Sequence, residues 1–91
     1  TPIAPNPEWQ GRSGISFYAD FVMETDAAIG ALLDALDRAG IADNTLVIIT
    51  SDNGCSPSAD YPELAGFGHN PSAHLRGHKA DIFDGGHRVP Y

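Results

Sequence analysis

The aliphatic run Leu46-Val47-Ile48-Ile49 constrains this chain more than any other feature. Consecutive apolar residues leave no solvent face, so a strand over residues 46–50 is one covered on both sides, the pattern of parallel sheets in α/β proteins. A parallel strand needs hydrogen-bonding neighbours on its flanks, and no second convincing strand appears elsewhere in the sequence. The expected fold class is therefore α/β, with a mostly parallel central sheet completed by residues beyond these 91. Composition agrees. Of the 42% hydrophobic share, twelve residues are alanine, a thin core for a domain this small. The single cysteine, Cys55, allows no internal disulfide to compensate.

Upstream of that run, residues 16–39 carry a helical period. Val22, Ile29, Leu33 and Leu36 share one face, widened by Leu32 and flanked by Phe21. Asp20, Glu24, Ala27, Ala31, Asp34 and Arg38 fall opposite, and Gly40 is placed to end the helix in left-handed geometry. Asp26 breaks the pattern by lying on the apolar stripe, where hydrogen bonds from a neighbouring loop are expected to hold it. Residues 1–14, with Pro2, Pro5 and Pro7, read as a lead-in loop, because each proline pushes its predecessor towards extended geometry. Residues 41–45 form a short turn through Asp43-Asn44. Helix, tight turn and buried strand make half of a βαβ crossover. Beyond Gly54, residues 55–72 are rich in Ser, Pro, Gly and Asn and read as a long loop with one short turn at 61–65. A structureless loop of that length is usually functional. Asp81-Ile82-Phe83 is expected to begin a short strand, with a turn at Asp84-Gly85-Gly86.

Charge excludes some functions. Five basic against twelve acidic residues give a net charge of −7 with histidines neutral, which repels phosphate backbones and argues against nucleic-acid binding. The longest aliphatic run is far short of the about 20 residues that span a bilayer. No export signal is visible.

Two segments carry candidate chemistry. Thr50-Ser51-Asp52-Asn53-Gly54 leaves the carboxyl end of the expected strand, where open α/β sheets bind ligands. Asp52 and Asn53 offer one anionic and one neutral oxygen, donors suited to Ca²⁺ or Mg²⁺ rather than a thiophilic metal. Two donors cannot complete a Ca²⁺ shell of about 6–8 oxygens, so further ligands would come from elsewhere. In the second segment, Arg76, Lys79 and Arg88 gather three of the five cations among several glycines, the composition of an oxyanion pocket. Each segment alone reads equally as ordinary chemistry: an Asp-Asn-Gly turn in the first case, a solvated basic loop in the second.

Together they resemble the sulfatase family, and within it the arylsulfatase-like members. The resemblance lies in Thr50-Ser51-Asp52-Asn53-Gly54 followed by Arg76-Gly77-His78-Lys79, then Asp84-Gly85-Gly86 and Arg88-Val89-Pro90. It extends over residues 17–90, through Asp26, Ile29-Gly30, Leu32-Leu33, Gly40 and Asp43-Asn44-Thr45-Leu46-Val47. It implies that residues 1–91 are part of a sulfatase-type α/β sandwich, with N- and C-terminal parts of the catalytic domain missing and required for activity. It implies a sulfuric ester hydrolase acting on a small-molecule or saccharide sulfate ester. Asp52 and Asn53 would be two ligands of one Ca²⁺, and Lys79 would contact the sulfate as a catalytic and substrate-binding residue. The formylglycine nucleophile would lie upstream, so these residues alone are expected to be inactive. Thr1-Pro2 looks like the dipeptide that follows a catalytic histidine of the family. Export or lysosomal residence is a further implication of the resemblance alone.

Cys55-Ser56-Pro57-Ser58-Ala59 imitates the formylglycine motif, but Ala59 stands where arginine is required, and the segment follows the metal pair instead of preceding it. Cys55 is read as an inert loop residue. A zinc site on His69, His74 and His78 is disfavoured by the Gly/Pro-interrupted segment. Under the family resemblance the loop from Cys55 to His78 would overhang the sulfate pocket, bringing His69, Asn70, His74 or His78 to the leaving group. Two alternatives remain. One is a phosphomonoesterase or phosphodiesterase of the alkaline-phosphatase superfamily, whose two-metal sites typically have Asp-His at this strand end. The other is a non-catalytic metal-binding module.

Overall fold

The computed structural model describes residues 3–91, so Thr1-Pro2 lies outside the described residues. The chain divides into two compact units, the boundary falling between Val47 and Ile48.

The first unit is built on α1, Phe17–Arg38, within the span its period predicts. Ser16 caps the start: its hydroxyl accepts the Ala19 amide at 3.2 Å, satisfying one of the orphan donors of the first turn. Gly40, at φ +67°, ends the helix. Its amide reaches the Asp37 carbonyl at 3.0 Å, and the Ile41 amide reaches Leu36 at 3.2 Å, the paired bonds of a Schellman motif. A short 3-10 turn, Ala42–Asn44, follows as the Asp-Asn chemistry implies.

The acidic face of α1 has a structural task that the sequence does not announce. Asp20 is 2% exposed and accepts the Gly11 amide at 2.7 Å and the Ser13 amide at 2.8 Å. The Ser13 side chain, then the Ser13 and Gly11 amides, hold its carboxyl below the usual carboxylate range, against the opposing effect of burial. One turn later, Glu24 accepts the Asn6 amide at 3.0 Å and the Asn6 side-chain Nδ2. The carboxylate that gathers the loop is thus Asp20 and not Asp26, which is exposed. The reason is electrostatic: unpaired amides of the lead-in loop seek a carboxylate at the helix N-terminus, where the macrodipole also favours negative charge.

Residues 46–50 form no ladder, and no strand occurs among the described residues. Leu46 is 86% exposed, and Val47, Ile48 and Ile49 are exposed as well.

In the second unit, Ser56 caps a 3-10 turn, Pro57–Ala59, and α2, Tyr61–Gly66, follows. Asp60 caps α2 by accepting the Glu63 amide at 3.1 Å. The short turn expected at 61–65 is therefore a six-residue helix. Leu64, 0% exposed, and Ala59, 1% exposed, are the fully buried apolar side chains of this unit. The strand expected from Asp81 is absent: residues 81–83 bend into a single helical turn, α3, Asp84–His87. Gly85 and Gly86 explain the change, since they are buried and let the chain fold tightly against backbone instead of running straight.

Candidate functional site

Four glycines bring the two chemistry-bearing segments together. A Cβ added at Gly54 would lie 1.8 Å from the Gly85 carbonyl oxygen. One at Gly85 would lie 2.2 Å from the Gly77 oxygen, and one at Gly86 2.3 Å from the Asp81 oxygen. Only backbone without side chains can cross this closely. The crossing is fastened by the Gly54 amide donating to Gly86 at 2.9 Å and the Gly85 amide donating to Arg76 at 2.7 Å. A third bond joins the segments directly: the Lys79 amide donates to the Cys55 carbonyl at 2.8 Å. Lys79 is thereby tied two residues from Asn53.

The Asp52–Asn53 turn is shaped locally. Ser51 Oγ donates to the Asn53 carbonyl at 2.8 Å, and Asn53 Nδ2 donates to the Gly54 carbonyl at 3.1 Å. With its nitrogen engaged, the Asn53 amide keeps Oδ1 as the atom available to a cation. Asp52 is exposed, as is Lys79. No group of three His, Cys, Asp or Glu side chains converges as a metal site among the described residues.

The two candidate histidines part company. His78 is part-exposed and tied to its neighbours: its amide donates to Asp81 Oδ2 at 2.9 Å, and its Nδ1 lies 3.0 Å from the Lys79 carbonyl and 3.5 Å from Asp81. Its imidazole is tilted against the Tyr61 ring at 5.8 Å between centroids. His74 is exposed and lines an open cavity of about 430 Å³ with Arg76, Phe83, Asp84 and Arg88. There the Arg76 guanidinium stacks over Phe83 at 3.7 Å, a cation–π contact, and Arg88 sits 3.5 Å from Asp84. Cys55 contributes its carbonyl to the crossing, while its thiol is 3.6 Å from the Ser56 carbonyl.

Sequence reasoning missed Tyr61 and Ser72. Tyr61 Oη lies 2.9 Å from Ser72 Oγ and 3.4 Å from the Cys55 carbonyl, and Ser72 Oγ donates to Gly77 at 3.0 Å. No periodic signal marks such a pair, because both residues lie in a segment without sustained pattern.

The crossing holds the Asp52–Asn53 turn beside the lysine-bearing loop, and the family model for sulfatases matches residues 4–91. The chain belongs to the sulfatase family. It is 34% identical to the N-acetylgalactosamine-6-O-sulfatase of Bacteroides thetaiotaomicron over 99% of its length, covering 18% of that protein. It is 42% identical to the steryl-sulfatase of Rattus norvegicus over 93% of its length, and 41% identical to arylsulfatase A of Bos taurus over 98%. It covers 15% and 16% of those two proteins, so the chain spans roughly a sixth of the curated relatives it matches. No solved structure matches it.

Proposed function

We propose that the full-length protein hydrolyses sulfate esters and that this chain supplies one side of its anion-binding site. The observation that carries this reading is the bond from the Lys79 amide to the Cys55 carbonyl, which couples the Asp52–Asn53 turn to the lysine loop. Family membership and the names of the relatives support it. The remainder of an α/β sandwich with a mostly parallel sheet would cover the exposed Leu46-Val47-Ile48-Ile49 run.

The donor set fits Ca²⁺: Asp52 gives a carboxylate and Asn53 an amide oxygen, both hard, with other ligands supplied elsewhere in the protein. When bound there, the ion would draw charge from sulfate oxygens as a Lewis acid. Lys79 binds the same anion as a compact ammonium and stabilises negative charge as it develops on the leaving side. The formylglycine nucleophile belongs to sequence upstream of Thr1. The substrate is a small-molecule or saccharide sulfate ester.

The test is turnover of 4-nitrophenyl sulfate against 4-nitrophenyl phosphate and bis(4-nitrophenyl) phosphate, with metal content measured on the same preparation. Sulfate hydrolysis with one Ca²⁺ retained is expected. Lys79→Ala should lower kcat by about 10²–10³-fold, the effect of one lost oxyanion contact. Preference for either phosphate ester, or stoichiometric zinc in place of Ca²⁺, overturns the proposal.

A further inference from the structure

We propose that Tyr61 and Ser72 form a hydroxyl strut that fixes the separation between Lys79 and the Asp52–Asn53 turn, making both positioning residues. The inference rests on the proposed function and adds to it two residues whose hydroxyls meet backbone carbonyls and each other.

The strut is a chain of hydrogen bonds bracketing Lys79. On one side, the Cys55 carbonyl accepts the Lys79 amide at 2.8 Å and also receives Tyr61 Oη at 3.4 Å. On the other, Ser72 Oγ donates to the carbonyl of Gly77, two residues before Lys79, at 3.0 Å. The hydroxyls meet at 2.9 Å. Proton accounting gives the strut a direction. Ser72 spends its only proton on Gly77, so Tyr61 is the donor to Ser72, and its single proton is shared, bifurcated, with the more distant Cys55 carbonyl.

Rigid parts support both ends. Tyr61 opens α2, which is capped by Asp60 and anchored by the fully buried Leu64. Ser72 is buried at 9% exposure and its amide is held by Asn70 Oδ1 at 3.0 Å. Burial above all pushes the Tyr61 phenol up from its ordinary value, so the proton that the strut needs stays in place through the neutral range. Lys79 itself is exposed, and its long flexible stem takes its direction from the backbone beneath it. A displacement of an ångström at a catalytic group costs orders of magnitude in rate, which is why a strut so placed bears on kcat.

The test uses the full-length protein with 4-nitrophenyl sulfate as probe and hydrogen–deuterium exchange resolved at the Lys79 amide. Tyr61→Phe and Ser72→Ala should each lower kcat about tenfold with KM little changed. Each should speed exchange at Lys79 about fivefold, as expected for the loss of one neutral hydrogen bond. Ser72→Thr, which keeps the hydroxyl, should restore both readouts. The double variant should cost no more than either single one, because the two residues act as a unit. Unchanged exchange at Lys79 in both single variants overturns the strut, as does full additivity in the double variant. A wild-type protein that spares aryl sulfate defeats the proposed function alone, and exchange at Lys79 still decides the strut.

Discussion

Replacing Gly54 by alanine is the sharpest perturbation of the crossing. The new Cβ would stand 1.8 Å from the Gly85 oxygen, 2.8 Å from the Gly85 carbonyl carbon and 3.2 Å from Gly86 Cα. All three are backbone atoms, so no side chain can swing aside. Relief to ordinary contact requires the two backbones to part by more than an ångström, which breaks the 2.9 Å bond from the Gly54 amide to Gly86. Overpacking costs about 1–3 kcal/mol and the lost bond about 1 kcal/mol, together about 2–4 kcal/mol. Gly54 has no left-handed φ, so the penalty is one of space and not of backbone strain. In the full-length protein, exchange at the Gly54 amide should accelerate by about 30- to 700-fold, and kcat/KM for aryl sulfate should fall at least tenfold. Gly30→Ala is the control. It lies inside α1 with nothing within 4 Å of an added Cβ, so the same substitution should stabilise by about 0.5–1 kcal/mol. If Gly54→Ala kept exchange at Gly54 within twofold of wild type, the steric account of the crossing would be wrong.

Asp20→Asn should raise amide exchange at Gly11 and Ser13 at neutral pH. Because the folded carboxyl titrates below its ordinary 3.8, its stabilisation is present above that value and lost as pH falls through the lower folded value. Wild-type protection factors should therefore fall only in that acid range, whereas those of Asp20→Asn should show no such step. Leu64→Ala removes the one fully buried large apolar side chain among the described residues and should cost about 2–5 kcal/mol, read as faster exchange throughout α2. Unchanged exchange there would mean that capping alone holds the helix. His74→Ala should raise KM for an aryl sulfate about fivefold with kcat preserved, the signature of lost uniform binding. An unchanged KM removes His74 from the substrate side of the site.

The elements whose information is local were legible in the sequence. The apolar period placed α1 within residues 16–39, and Gly40 marked its end, because a Schellman motif needs only a residue tolerant of positive φ after the last turn. The misassigned carboxylate shows where local reading stops. Periodicity singles out Asp26 because it interrupts an apolar stripe, yet the loop amides reach Asp20, which the same period files on the solvent face. What decides is where the lead-in backbone runs, and no pattern within the helix encodes that. The 81–83 segment failed for a related reason: Ile82-Phe83 has strand-like composition, but the tight packing of Gly85 and Gly86 turns the chain before a strand can form. At the candidate site, residue type and order single out Asp52, Asn53 and Lys79 as candidates, and the backbone bond from Lys79 to Cys55 is what the structure adds to them. The hydroxyls of Tyr61 and Ser72 did not, since their meaning lies in which carbonyls they meet.

The two segments of the candidate site stand far apart in sequence. Closing a loop becomes only slowly more costly with length, about 0.6 kcal/mol for each doubling, so the distance from Cys55 to Lys79 is thermodynamically cheap. Its length does not set the geometry. The base does, through the Lys79–Cys55 bond and the Gly54–Gly86 bond, both made by backbone groups whose positions the glycine crossing dictates. The body of the loop then needs only to supply enough buried surface and hydrogen bonding to offset its ordering, which Leu64, Ala59 and the Tyr61–Ser72 pair provide. A site organised in this way separates two demands on sequence. Residues at the base must keep their size, because a methyl group there meets carbonyl oxygens. Exposed residues on the loop, such as His74, carry no such constraint on size.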